Sequence, residues 1–162
     1  MLYTRMDSPV GELLIVSDGS SLTGLYIQCQ PDPDWRQVDI PLFDTVKFWL
    51  TEYFAGKRPD VSCLPLELTG TPFQQGVWAY LMTIPYGKTC TYGDIAREMA
   101  TLVGKKTMSA QAVGQAVGRN PISIIVPCHR VVGAGGKMTG YAWGIEKKEW
   151  LLAHEARTKE ET

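Results

Sequence analysis

The 162-residue chain is poor in metal-binding side chains, with only two histidines and four cysteines. Cys29, Cys63, Cys90 and Cys128 are widely spaced and form no CxxC pair, so a structural zinc site lacks both ligands and spacing. No run of 18 apolar residues occurs, which argues against a membrane span. The opening MLYTRMDSPVGELLIV carries Asp7 and alternating polarity where a signal peptide needs an unbroken apolar stretch. A cytoplasmic protein with reduced thiols is therefore expected. Neither sign of charge dominates: 16 basic and 17 acidic residues leave a net charge of −1. A protein that holds nucleic acid by bulk charge alone would be basic, so only a local basic face is left open. Internal repeats and low-complexity segments are absent.

What is present describes an ordinary globular protein, 44% apolar and 20% charged, long enough to bury a real core. LYTRMDSP, GELLIVSDG and SLTGLYIQ read as short strands, with DGSS as a hairpin turn. PDPDWRQVDIP reads as a loop. Leu42, Val46, Trp49, Leu50, Tyr53 and Phe54 then recur at helical spacing, and Gly56 stops the helix. GKRPDVSCLPLELTG has no period and reads as a linker. Beyond it, Thr71 and Pro72 suit the cap and first position of a helix whose apolar face is Phe73, Val77, Trp78 and Leu81. TYGDIAREMA predicts a second helix and SAQAVGQAVG a third, capped by Ser109, with LVGKKTM as the turn between them. The expected fold class is α+β. A small antiparallel-sheet unit over residues 1–62 precedes a mainly helical domain over 70–156 that contains a helix-turn-helix.

The third helix is thin, because Ala110, Ala112, Gly114, Ala116 and Gly118 supply almost no side-chain bulk. Glycines are costly inside a helix, so two at i, i+4 indicate either tight helix packing or close approach to something outside. Such a helix suits the narrow minor groove of DNA better than the deep major groove.

The chemistry concentrates in PISIIVPCHRV, residues 121–131. Ile122, Ile124, Ile125 and Val126 suit a buried strand that Pro127 ends. Cys128 then lies where the chain turns, beside His129. A thiol reacts as thiolate, and an imidazole is the usual acceptor of its proton. A buried, inert cysteine is the alternative reading of the residue alone.

Together, TPFQQGVWAYLMTIPYG, TYGDIA, AVGQAVGRNPISIIVPCHRVVG, GYAWG and KEWLLAHE resemble, in order, the blocks of the O6-alkylguanine-DNA alkyltransferases (methylated-DNA–protein-cysteine methyltransferases). The resemblance spans nearly the whole chain. It implies a ribonuclease-H-like N-terminal unit and irreversible, single-turnover transfer of an alkyl group from O6-alkylguanine in DNA to Cys128. O4-alkylthymine is a further candidate substrate. Within that pattern His129 takes the thiol proton through a water, Glu155 orients His129, and Asn120 joins the recognition helix to the cysteine segment. Tyr92 contacts the 3′ phosphate and the edge of the purine. The target nucleotide is flipped out through the minor groove, against Gln111, Ala112, Gly114 and Gln115. Carbonyls of Cys128 and Val131 read the guanine amino group, the N–H of Ala142 meets O6, and Tyr141 and Trp143 flank that loop. Arg119, Arg130 and the Lys105–Lys106 pair are candidates for phosphate. His154 has no family role and is expected at the surface. The partner implied is double-stranded DNA bound by a monomer. No membrane, cofactor or metal is expected, because the zinc ligands of some members have no counterpart.

Three departures accompany the resemblance. Gln111 stands where an arginine usually fills the vacated base stack, the helix-turn-helix turn is five residues longer, and Ala142–Trp143 replaces a small residue and glycine. An indole at Trp143 is expected to line the pocket. Three readings from other classes compete. A non-catalytic relative would lack the reactive cysteine. A helix-turn-helix regulator with a sensing thiol would need long polar side chains on its recognition helix. A cysteine hydrolase would need a distant histidine.

Overall fold

The computed structural model describes residues 1–159. Strands β1 (Leu2–Met6), β2 (Leu13–Ser17) and β3 (Leu22–Ile27) form an antiparallel meander, and Asp18 closes the β2–β3 turn by accepting the N–H groups of Ser20 and Ser21. A two-residue strand β4 (Arg36–Gln37) pairs in parallel with β1, so the expected loop supplies a short edge and the order is β3-β2-β1-β4. Central β2 is buried along its whole length, and helix α1 (Pro41–Phe54) adds Phe43, Val46, Trp49, Leu50 and Tyr53 to the core. Phe43 takes the buried place that the helical pattern suggested for Leu42.

The stretch after α1 is no free linker. Leu22 donates its N–H to Pro65 O at 2.7 Å, and Glu67 donates to Leu22 O at 2.9 Å. Further along the same edge, Leu25 N–H reaches Pro121 O and Ser123 N–H reaches Leu25 O. Two segments from outside the sheet thus cover β3, which removes an exposed edge and ties residues 121–123 to the N-terminal unit.

The helical part comprises α2 (Pro72–Leu81), α3 (Tyr92–Leu102), α4 (Ala110–Gly118) and α5 (Ile145–Thr158). The first two start at capping boxes, Thr71 with Gln74 and Thr91 with Asp94, and Ser109 caps α4. Val77, Trp78 and Leu81 of α2 pack with Ile95, Ala96 and Met99 of α3 and Val113, Ala116 and Val117 of α4. The Trp78 indole also donates to Ala116 O at 2.8 Å, pinning α4 from behind. A short parallel pair, β5 (Cys90–Thr91) with β6 (Val131–Val132), joins the start of α3 to the chain just after the cysteine. Among the described residues no helix is long and apolar enough to cross a membrane.

Candidate active site

Residues 122–127 are buried as expected, but they do not form a strand. Only Ile122 makes a ladder contact, with Leu25, and the chain then folds back on itself. Asn120 dictates this: its Nδ2 donates to Val126 O at 2.8 Å while its Oδ1 accepts Ile122 N–H at 3.0 Å. Within the loop so closed, Val126 N–H bonds Ile122 O and Ile125 N–H bonds Ser123 O. Ile124 is driven to φ 71°, a conformation that β-branched residues avoid. Apolar character marks burial, but an extended strand cannot also satisfy an asparagine bridging both of its ends.

Cys128, His129 and Arg130 make one 3-10 turn after Pro127. The thiol is buried, and burial raises its pKa, so at neutral pH it is held as SH. Cys128 borders a cavity of about 340 Å³ lined by Tyr92, Gly114, Val117, Asn120, Tyr141 and Ala142, among others. The Tyr141 hydroxyl is buried with no hydrogen-bond partner among the described residues, and burial raises its pKa well above the usual value. Tyr92 Oη accepts from the Thr139 hydroxyl at 3.3 Å.

Behind the thiol lies a buried polar cluster. His129 is fully buried and its Nε2 lies 2.6 Å from Glu155 Oε2, while Nδ1 has no hydrogen-bond partner among the described residues. Burial lowers the His129 pKa, and the Glu155 carboxylate opposes that shift without reversing it. Glu155 is itself only 1% exposed. Besides His129 it accepts the Tyr53 hydroxyl at 2.6 Å, the Arg130 guanidinium at 2.8 and 3.1 Å, and Gly87 N–H at 3.2 Å. His129 and Arg130 outweigh burial and hold its pKa well below the usual carboxylate range.

Several placements differ from the sequence-based expectation. Arg130 is not available to phosphate, because Glu155 and Ile84 O occupy its guanidinium. His154 is not at the surface: its Nε2 lies 2.8 Å from Tyr53 O, and its ring stacks on Trp150 with centroids 5.0 Å apart. Trp143 does not line the cavity. Its indole donates to Ser123 Oγ at 2.8 Å and meets the edge of Tyr26, so β3 draws it toward the N-terminal unit. The Val131 side chain is buried, and its N–H bonds Cys128 O.

Gln111, Gln115 and Arg119 are exposed along α4, with Ala112 and Gly114 partly covered between them. Packing does not explain the two α4 glycines. A Cβ at Gly114 would meet the Tyr92 ring at 3.8 Å, an ordinary contact, and one at Gly118 would meet nothing within 4 Å.

Lys148 and Tyr53 are the residues that motif reading missed. Lys148 is 1% exposed, donates to Thr139 O at 3.0 Å, and lies 6.0 Å from the Tyr92 ring centre. Burial lowers its pKa, and its charge in turn favours the Cys128 thiolate. A lysine on a charged helix reads as solvated, and only the absence of polar spacing at its position could have hinted otherwise. Among the described residues no group of three or more His, Cys, Asp or Glu side chains is placed to hold a metal.

Comparison with known proteins matches this chain along most of its length. Residues 1–68 match the 6-O-methylguanine DNA methyltransferase ribonuclease-like domain, and residues 72–157 the 6-O-methylguanine DNA methyltransferase DNA binding domain. A methylated-DNA–protein-cysteine methyltransferase of Haemophilus influenzae is 42% identical over 156 residues, covering 94% of this chain and 84% of that protein. The crystal structure of Mycobacterium tuberculosis OGT in complex with DNA is similar at a TM-score of 0.84 and 44% identity, covering 98% of this chain and 94% of that one. An O6-methylguanine DNA methyltransferase from Methanococcus jannaschii has a TM-score of 0.67 at 26% identity, covering 94% and 93%.

Proposed function

This chain belongs to the 6-O-methylguanine DNA methyltransferase family, and from that premise we infer that it repairs DNA by moving an alkyl group from O6-alkylguanine to Cys128. The observation that carries the assignment is a buried thiol on the wall of a nucleobase-sized cavity, next to an imidazole locked by a buried carboxylate. A guanine inside a duplex cannot reach that thiol, so the damaged nucleotide swings out between Tyr92 and Gly114, at a cost of a few kcal/mol of unstacking. Gln111, Ala112, Gly114, Gln115 and Arg119 face the minor groove, and Gln111 occupies the vacated stack. Inside the cavity Tyr141 and the N–H of Ala142 meet the base.

The thiol proton passes to His129 Nδ1, directly or across one water, while Glu155 steadies the imidazolium that forms. The thiolate attacks the alkyl carbon from the side opposite O6. The S–C bond forms as the C–O bond breaks, and the electron pair leaves on the guanine oxygen. A proton returned from His129 restores neutral guanine. The thioether has no hydrolytic exit, so each molecule acts once. O4-alkylthymine offers the same bond to the same thiolate. We place the recognition and transfer chemistry in residues 70–156, with residues 1–62 as the supporting unit, in a monomer working in the cytoplasm on double-stranded DNA.

The test is intact-protein mass after incubation with an O6-methylguanine duplex, followed by peptide mapping. One added methyl on the Cys128 peptide is expected. A methyl on Cys29, Cys63 or Cys90, or none, overturns the assignment.

A further inference from the structure

We propose that Tyr53, from the N-terminal unit, is a positioning residue for alkyl transfer, whose hydroxyl shares Glu155 Oε2 with His129 and so limits how strongly the carboxylate draws a proton onto the imidazole. The inference rests on the reading that His129 accepts the Cys128 proton. Tyr53 and His129 approach the same carboxylate oxygen, each at 2.6 Å, although Tyr53 lies 102 residues from Glu155 in sequence and His129 only 26. The ring needs no hydroxyl for packing. It stacks on Trp49 (centroids 5.8 Å apart, planes 7° off parallel) and meets Phe54 and Tyr86 edge-on, contacts that phenylalanine would make as well. The Tyr53 carbonyl meets His154 Nε2, so this one residue grips two neighbouring positions of α5.

The remaining groups around the carboxylate fix the direction of the effect. Arg130 and Gly87 N–H hold it from the turn after Cys128 and from the loop after α2. Tyr86, itself under Arg58 and Arg130, stands beside Tyr53, and Lys148, Cys128 and Tyr141 complete the charged or titratable surroundings. Arg130 and Lys148 oppose a proton on His129, and neither is hydrogen-bonded to Tyr53. Burial raises the Tyr53 pKa, so the phenol stays a donor across the working range. Removing that donor leaves Oε2 with more unshared charge. The His129–Glu155 pair as a whole then binds a proton more tightly, wherever in the pair the proton resides.

The experiment uses the full chain and its two histidines. The ¹⁵N imidazole signals, assigned with His129→Asn, are titrated in the native protein and in Tyr53→Phe, alongside single-turnover transfer rates across pH. Losing one donor to the charged carboxylate should raise the His129 midpoint by roughly one unit. The acid limb of the rate should move with it, so that transfer falls about tenfold on that limb and converges with the native rate at higher pH. A merely structural role would lower the rate evenly. An unmoved midpoint in folded Tyr53→Phe overturns the inference. If the midpoint moves and the acid limb does not, Tyr53 tunes the His129–Glu155 pair, but His129 is not the proton acceptor and the part of Tyr53 in transfer is overturned with that reading. Should Tyr53→Phe fail to fold, 3-fluorotyrosine at position 53 keeps the ring and strengthens the donor. It should lower the midpoint, and an unchanged midpoint again overturns the inference.

Discussion

Around Glu155, both carboxylate oxygens are taken up by buried or partly buried donors from several parts of the chain. Along the outer face of α4 the reverse holds: Gln111, Gln115 and Arg119 stand exposed, and the glycines leave open space. Cys128 stands between the two regions in the chain's organisation, next to His129 in sequence and lining one cavity with Gly114 and Gly118. The inner one is complete before any partner arrives, and it stores its organisation as paired hydrogen bonds in low dielectric. Such pairing makes each member expensive to remove. The outer one is left incomplete, which fits the proposal that its contacts are made with DNA. Substitutions on the two sides should therefore fail differently.

Cys128→Ser separates the two sides most cleanly. It should abolish transfer altogether while duplex affinity, measured by fluorescence anisotropy, changes little. A large loss of affinity would show that the thiol belongs to the recognition surface and would erase the distinction.

Glu155→Gln comes next. It removes the charge that His129 and Arg130 share, so we expect a loss of about 3–5 kcal/mol in stability. Transfer should fall on the order of 10²–10⁴-fold, with stability followed by chemical denaturation. The pH dependence follows from the same group. The folded pKa of Glu155 lies below its unfolded value, so its contribution is present above about pH 4.3 and is lost as pH falls toward the folded pKa. The pKa of His129 is also lowered, so its charging adds a separate loss beginning below about pH 6.5. Melting temperatures recorded from pH 8 down to pH 3 should fall in two stages, and Glu155→Gln should flatten the lower one.

On the outer side, Gln111→Arg should tighten duplex binding and make it steeper in salt, by roughly one phosphate contact. Binding isotherms at several salt concentrations decide this. An unchanged slope would mean that this face of α4 does not meet the backbone. The smallest effect belongs to Trp143→Phe, which keeps an aromatic edge for Tyr26 but loses the bond to Ser123. A cost of about 1 kcal/mol is expected, with the same relative rates for O6-methylguanine and O6-benzylguanine. A selective gain for the benzyl substrate would put the indole back in the cavity.

What could be read before folding follows the same division. Capping residues announce themselves locally, so Thr71 and Ser109 mark their helices from sequence, whereas Thr91, read as part of its helix, turns out to be the cap. The PCHRV block and the WLLAHE block signal Cys128, His129 and Glu155 through their order. Long-range pairing leaves no such trace. Nothing near Tyr53 in sequence indicates a carboxylate partner on α5. Arg130 looks like a phosphate ligand until Glu155 is seen to claim it. The run from Ile122 to Val126 has strand-forming residues, and only the two bonds of Asn120 turn it into a closed loop.

The open space beside Gly114 and Gly118 also bears on how far this protein could be hardened. Each glycine in α4 is worth about 1 kcal/mol less than alanine to the helix, and no neighbour forbids the added methyl. Alanine at either position should thus raise the resistance of the unbound protein to heat. At Gly114 the same methyl would narrow the mouth of the cavity beside Tyr92. On the proposed reading, the softness of α4 is a margin of stability given up for access to a swung-out base.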